Sequence, residues 1–406
     1  MLVTLQPIMR FVLTILMLAV ALCAAAQRED DPQYSDFEEI FIDTEEFTPP
    51  PGVDPLPILP DSAEQVRNDR SATAWIGQLI RNGFRINDPG INYPRFPNFL
   101  RKVYNWGDRT FNHYDSTYVV ATGRNWKIQG KSFNWMENYA AIFERNKEML
   151  IRSDIYADVG AYLSFMAVSV GYMFNANEIL GHNRNYRTHF NFNFTCALFN
   201  VDYLDTSTKG GAVIWRLSDY KNGHMVHIPF DAISHHTRSL TGTYFFNHRK
   251  YSHAAAYCYS KYQLRRAASW MIGFYCTTQN ISMNFDELSE AQLAVIPEAY
   301  RHFRMHYNDY AINVGYGINC VLKPRAWLFN FTFLQGFGHK HTREDSTDGR
   351  RDMIALNPQA MFSFVYNHRA LFTSLQGKFD GNFYFNRHYT FFNAMSTLQL
   401  TVGARF

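Results

Sequence analysis

Three stretches of the chain have residue types and spacings that invite a chemical reading. Gly123-Arg-Asn-Trp-Lys-Ile-Gln-Gly130-Lys131-Ser132 resembles a phosphate-binding loop. A Walker loop places four residues between its glycines, whereas this stretch has six. It also lies between two alternating stretches, with no helix to aim backbone N–H groups at a phosphate. Phosphate binding is therefore rejected. His235-His236, and His339 with His341, offer imidazoles. His339 and His341 share one face of an extended segment, but no cysteine or carboxylate completes a ligand set. No metal and no cofactor is expected. Ser234-His235-His236 supplies two of the residue types of a hydrolase triad. Neighbours on a strand point to opposite faces, so adjacency does not make a dyad. The chain reads as non-enzymatic, with a lipid-acting hydrolase or acyltransferase as the alternative.

The elements that must hold these residues alternate with period two. The final stretch, STLQLTVGARF, puts Leu398, Leu400, Val402, Ala404 and Phe406 on one parity and Thr397, Gln399, Thr401, Gly403 and Arg405 on the other. That is a strand with one apolar and one polar face. HFNFNFTC, AINVGYGINC and AWLFNFTF repeat the pattern, aromatic on one face and Asn, Thr or Gly on the other. A soluble sandwich would hide such an apolar face against a second sheet. A membrane barrel would turn it to lipid and keep the polar face inside.

The start of the chain favours the second option. Arg10 precedes an apolar run from Phe11 to Leu22, then Cys23-Ala-Ala-Ala26. A basic start, a short apolar core and a small-residue exit read as a signal peptide over 1–26, cleaved after Ala26. Nothing later is long and apolar enough to span a membrane as a helix. Net charge is +3, so nucleic acid is not an expected partner, while aromatic residues make up 17% of the chain. The remaining way to meet lipid is a closed barrel, which satisfies every backbone N–H and C=O within itself. Cys196, Cys258, Cys276 and Cys320 read as small buried hydrophobes and not as disulfide partners.

Residues 27–61 are acidic and Pro-rich and read as a flexible tail. Residues 62–113 form a short helical segment. One helix runs to about Arg81 with Ala74, Ile76 and Ile80 on a face, and a second covers 96–111 with Phe99, Val103 and Trp106 on a face. Residues 114–406 form an all-β, antiparallel, up-and-down barrel of about twelve strands, within a range of about ten to fourteen. The expected spans are 117–126, 133–144, 155–164, 166–175, 187–206, 237–247, 268–285, 310–321, 325–340, 354–367, 370–384 and 390–406. The 187–206 strand switches its apolar parity after Cys196, which a bulge near Ala197 would explain.

With the C-terminus in the periplasm, 367–370 and 322–325 are tight periplasmic turns, and 207–236, 286–309 and 341–353 are outer loops. One segment breaks this rule. Residues 248–267 are long yet fall on the periplasmic side. There Arg249, Lys250, Arg265 and Arg266 are interleaved with Tyr251 and Tyr259. Two readings are open. In one the segment is a plug or periplasmic contact, its cations gripping an anionic partner and its tyrosines stacking. In the other it is a folded turn whose charges pair with barrel carboxylates.

The stretches YNWGDRTFNHYDSTYVVATGRNWK (104–127), LSFMAVSVGYMFN (163–175) and FFNHRKYSHAAAYCYSKYQLRRAASWMIGF (245–274) resemble the DUF4421 family of Bacteroidota. The resemblance runs from about Phe96 to Phe406. It implies an exported, outer-membrane, barrel-like protein and supplies no catalytic residues. A last strand ending in an aromatic residue also resembles the signal that outer-membrane barrels show to their assembly machinery. Phe406 is the expected assembly signal, and outer-membrane lipids and that machinery are the expected partners. The role expected is small-solute passage or envelope structure, with binding through loops 207–236 and 286–309 as a further alternative.

Overall fold

The computed structural model describes residues 74–82, 86–111, 113–124, 126–143, 147–165, 168–179, 186–218, 220, 224–386 and 389–406. The expected signal peptide and acidic tail lie outside the described residues. The chain divides into two units, with the boundary at Arg109/Thr110.

The smaller unit contains α1, Ala74–Arg81, and most of α2, Arg95–Phe111. Its contacts are local: the Trp75 and Tyr93 rings lie 5.6 Å apart, and Asn92 N donates to Gln78 Oε1 at 3.0 Å. In α1 the buried residue is Leu79, whereas Ile76 and Ile80, expected on an apolar face, are exposed. The α2 residues Phe99, Val103 and Trp106 share a face as expected, and all three are exposed.

The larger unit is almost entirely antiparallel β. Its strands are β1 Val119–Ala121, β2 Trp126–Phe143, β3 Glu148–Ser153, β4 Tyr156–Phe165 and β5 Val168–Asn175. After the short α3, Ala176–Ile179, come β6 Tyr186–Thr195, β7 Phe199–Lys209, β8 Ala212–Leu217, β9 Ile228–Phe230 and β10 Ile233–Phe245. Then follow α4 His253–Tyr257, β11 Lys261–Gln263, β12 Ala267–Asn284, α5 Glu290–Leu293, β13 His302–Lys323, β14 Trp327–Thr342, β15 Arg351–His368, β16 Leu371–Phe385 and β17 Tyr389–Arg405.

One sheet of fifteen strands builds the wall. Twelve follow one another round it in the order β5-β4-β2-β17-β16-β15-β14-β13-β12-β10-β7-β6, while β3, β8 and β9 extend the rim above β2. The last strand pairs with the first wall strand along its whole length, from Arg405↔Lys127 to Tyr389↔Phe143. Phe406 and Trp126 exchange backbone hydrogen bonds at 2.9 and 3.0 Å, and their rings stack. Between β5 and β6 no ladder forms among the described residues. Arg187 spans that seam instead, bonding the carbonyl of Ala157 and the side chains of Asp158 and Asn175.

Pairing fixes parity, and parity sorts the side chains. Outward positions carry Ile128, Leu163, Phe190, Trp270, Ile312, Phe337, Ile354 and Val402, all exposed. Inward positions carry Thr277, Gln279, Asn313, Asn319, Asn330, Ser363, Ser374 and Thr401, all buried. Interior glycines let neighbouring strands approach. A Cβ on Gly315 would lie 2.0 Å from the Phe333 carbonyl oxygen.

Two expected spans are corrected. Residues 187–206 are not one bulged strand. Cys196 N donates to Phe199 O at 2.9 Å and the chain reverses there, so β6 and β7 pair as a hairpin. Each half keeps its own alternation, which is why the parity switched. Residues 117–126 do not form a wall strand. Only the three residues of β1 are extended, and they pair with β11. The two errors offset in the total. Gly315→Val is expected to destabilise the barrel by about 1–3 kcal/mol through overpacking. Urea titration of the folded species against wild type measures it.

Candidate functional site

The interior is the place to look for function, and it is filled from both ends. At the loop end, side chains from around the wall and its rim extension meet in an apolar core. Phe143, Ile214, Phe285, Phe303, Tyr389 and Phe391 belong to it, and Leu288 and Ile296 reach it from the connection between β12 and β13. The two long loops expected as free outer surface are therefore partly folded into a cap.

At the turn end, the segment between β10 and β12 folds back inside the wall. Asn247 begins the reversal: its backbone N–H donates to Ser269 Oγ and its amide to the Ala268 carbonyl. Ser252 caps α4, its Oγ accepting from Ala255 N at 3.2 Å. The helix carries Ala254, Ala255 and Ala256, all buried, because only small side chains let a helix lie against the inner wall. Leu328, Val365 and Phe372 pack on it. Tyr259 then takes a left-handed conformation, φ 58°, and the chain leaves through β11, antiparallel to β1.

Inward polar residues of the wall hold this segment by its backbone and tyrosines. Gln263, in β11 at the end of the segment itself, is the centre of the network. Its Oε1 accepts from Ser252 N and Asn319 Nδ2, and its Nε2 donates to the carbonyls of Lys250 and Arg265. Asn319 Nδ2 also donates to the Ser252 carbonyl at 3.0 Å. Asn330 Nδ2 donates to Tyr251 Oη, and Tyr257 Oη donates back to Asn330 Oδ1 at 2.7 Å. Ser363 Oγ donates to the Ala256 carbonyl, Lys127 Nζ to Cys258 and Arg405 Nε to Tyr259. Tyr259 Oη bonds Ser374 Oγ. Burial holds the Tyr251 and Tyr259 phenols up at about 12, so both stay neutral. Burial also holds the His253 imidazole down at about 3, with the Asp202 carboxylate opposing only weakly. His253 stacks between Phe245 and Tyr257.

The structure divides the six residues expected in a plug or contact. Tyr251 and Tyr259 are buried inside. Arg249, Lys250, Arg265 and Arg266 are exposed at the turn end. Lys250 and Arg265 flank the Tyr118 ring at 4.9 and 5.9 Å. No barrel carboxylate pairs with these four among the described residues; the neighbouring acid is Asp115, which accepts from Thr117.

Between the two fillings lies a charged waist. Glu137 accepts from Tyr139 Oη and Thr208 Oγ1 and faces His235 Nδ1 at 2.9 Å. Lys378 bridges Asp202 and Asp380 at 3.3 and 3.0 Å. Lys340 meets Asp309 at 3.3 Å, and Asn357 donates to the same carboxylate. The cavity here measures about 30 Å³, room for a water or two. No metal-binding set occurs among the described residues. Ser234 and His236 take the parity opposite to His235, and His235 itself bonds Tyr139 and Thr237. Ser234 therefore forms no triad with His235, whose hydroxyl and carboxylate neighbours are Tyr139, Thr237 and Glu137. His339 and His341 share Asp352 on the outer face, at 3.0 and 2.7 Å.

Sequence reasoning found the folded-in segment by its length on the side of short turns. It missed the wall receptors, Asn319, Asn330 and Ser363, and the charged waist. Their position on the polar face was visible; their partners were not.

A twelve-stranded barrel with a filled lumen is the class this geometry defines. The chain belongs to the DUF4421 family, described as a domain of unknown function, which matches residues 113–406. Among solved structures it is similar to the toluene transporter TodX of Pseudomonas putida, at 9% identity and a TM-score of 0.22, covering 70% of this chain and 90% of that one. It is also similar to the translocator domain of the autotransporter NalP from Neisseria meningitidis, at 7% identity and TM-score 0.26, covering 76% and 95%. A third is OmpT of Vibrio cholerae, at 8% and 0.23, covering 67% and 99%. No curated protein matches the sequence.

Two outcomes follow from the network. Asn319→Ala should cost about 1–3 kcal/mol by leaving buried partners unbonded, read as a lower urea midpoint. The His253 effect has a definite sign. The unfolded chain takes up a proton below 6.5, while the folded one holds His253 neutral to about 3. Stability is therefore complete above pH 6.5 and falls as the pH drops toward 3, by on the order of 3 kcal/mol at pH 4. His253→Phe should flatten that part of the pH profile.

Proposed function

We propose that the chain spans the outer membrane as a sealed, non-enzymatic barrel that serves envelope structure. The observation that carries this reading is the double filling of the lumen inside a wall whose outward face is apolar and aromatic. A bilayer covers such a face, and backbone pairing along the wall, interrupted only between β5 and β6 where Arg187 spans the seam, leaves few polar groups to lipid. Passage of solutes would require both fillings to move. The segment at the turn end is held by at least four wall strands, and the loop end is filled by packed apolar side chains. In this reading the segment 250–263 is a plug. Export runs through a cleaved signal peptide over 1–26, and the strand ending in Phe406 is the part shown to the assembly machinery. The Arg and Lys residues of the turn end face the periplasm.

The test has three parts. Intact protein should fractionate with the outer membrane and migrate faster on a gel until boiled. Removing Phe406 deletes a reciprocal backbone pair and should lower the folded fraction. In planar bilayers the purified protein should show no steady conductance, and replacing 252–262 by a Gly/Ser linker should not open it, because the loop-end core remains. A soluble periplasmic protein without a heat-dependent shift would remove the membrane reading. Steady conductance of the intact protein would replace envelope structure by solute passage.

A further inference from the structure

Two hairpin turns lie side by side at the turn end of the wall. Lys323-Pro-Arg325-Ala326 joins β13 to β14, and Asn367-His368-Arg369-Ala370 joins β15 to β16. Asn367 N donates to the Ala326 carbonyl at 2.7 Å, which ties the turns together. Lys323, Arg325, His368 and Arg369 are all exposed. No acidic residue occurs in either turn or in the flanking stretches 319–331 and 362–376.

The backbone adds a separate observation. In the first turn Ala326 N donates to Lys323 O at 3.0 Å, and Arg325 has φ 60°. With Pro324 ahead of it, this is the position of a type II turn that favours glycine. Arg369 has φ 52°. A residue with a Cβ is disfavoured in that region, yet both turns place an arginine there. Turn geometry alone would favour glycine at both positions.

The adjoining outer surface is aromatic. Trp327 and Tyr366 face each other in register, with rings 4.2 Å apart, and Phe364 lies 5.1 Å from Trp327. A basic cluster therefore sits directly beside an outward aromatic slab, at the level where Trp and Tyr meet headgroups.

We propose that the paired turns bind an anionic phospholipid. Its phosphate is held by Arg325, Arg369 and Lys323 with His368 beside them, and its acyl chains lie on the Trp327–Tyr366–Phe364 slab. Guanidinium groups suit phosphate because they donate two parallel hydrogen bonds. The proposal rests on the membrane-spanning reading above.

The experiment compares full-length protein in phosphatidylcholine bilayers with the same bilayers containing phosphatidylglycerol. The readouts are the midpoint of the heat-dependent gel shift and the lipid retained after purification. Wild type should show a higher midpoint with phosphatidylglycerol and should retain it selectively. The variant Arg325→Gly/Arg369→Gly removes two charges and relaxes both turns, so it should fold normally in phosphatidylcholine. It should lose the phosphatidylglycerol effect, with retention falling roughly fivefold per charge. Arg325→Lys/Arg369→Lys should keep most of it. Equal midpoints for wild type in both bilayers, or an undiminished effect in the glycine variant, would overturn the site. So would a matching stabilisation by inorganic phosphate in phosphatidylcholine, which would mark a free-anion site. Absence of any heat-dependent shift in either bilayer would instead remove the membrane reading itself.

Discussion

Backbone pairing along the wall is the constraint from which the other features follow. Once β17 is zipped to β2 and the ladders on either side of them have formed, every paired side chain is committed to one of two faces. The outward set is apolar and aromatic. The inward set is Asn, Gln, Ser and Thr, and these groups need partners. Twelve strands leave more interior than their own side chains occupy. The chain fills that space with its own folded-in segment, whose backbone carbonyls meet Asn319 and Ser363 and whose tyrosine hydroxyls meet Asn330. Polar interior and folded-in segment are two halves of one solution.

The charged waist obeys the same logic. Asp309 and Lys340 are both fully buried, and each has a further hydrogen bond, from Asn357 and to the Phe383 carbonyl. A buried pair of this kind adds little net stability, but either charge left alone would be expensive. The waist therefore discourages partial arrangements more than it strengthens the complete one. The apolar loop-end core and the alanine helix at the other end are the parts that contribute hydrophobic burial.

The wall was largely legible in the sequence, and the reason is visible in particular strands. From β12 to β17 the alternation runs for fifteen residues or more in each strand, so its period cannot be mistaken. The β6–β7 hairpin escaped because its turn, Cys196-Ala-Leu198, contains none of the Gly, Pro or Asn that usually mark reversals. The interior was legible only as a face. An asparagine that meets water and one that meets Tyr251 look alike in a sequence. The pairing of Gln263 with Asn319, far apart in the chain, could not be read from spacing. The glycine-poor turns carrying Arg325 and Arg369 were read as tight reversals, but their left-handed arginines needed backbone coordinates to be noticed.

The ladder between β2 and β17 also sets an order of events. It joins Lys127 to Arg405, so the residues that close the wall are separated by nearly the whole barrel sequence. Closing so long a loop is slow relative to forming the adjacent hairpins. Arg405, at the last closing position, donates to Tyr259 within the segment carrying α4. Ring closure and capture of the segment thus share a residue. The seam between the first and last wall strands carries a direct bond to the filling it encloses.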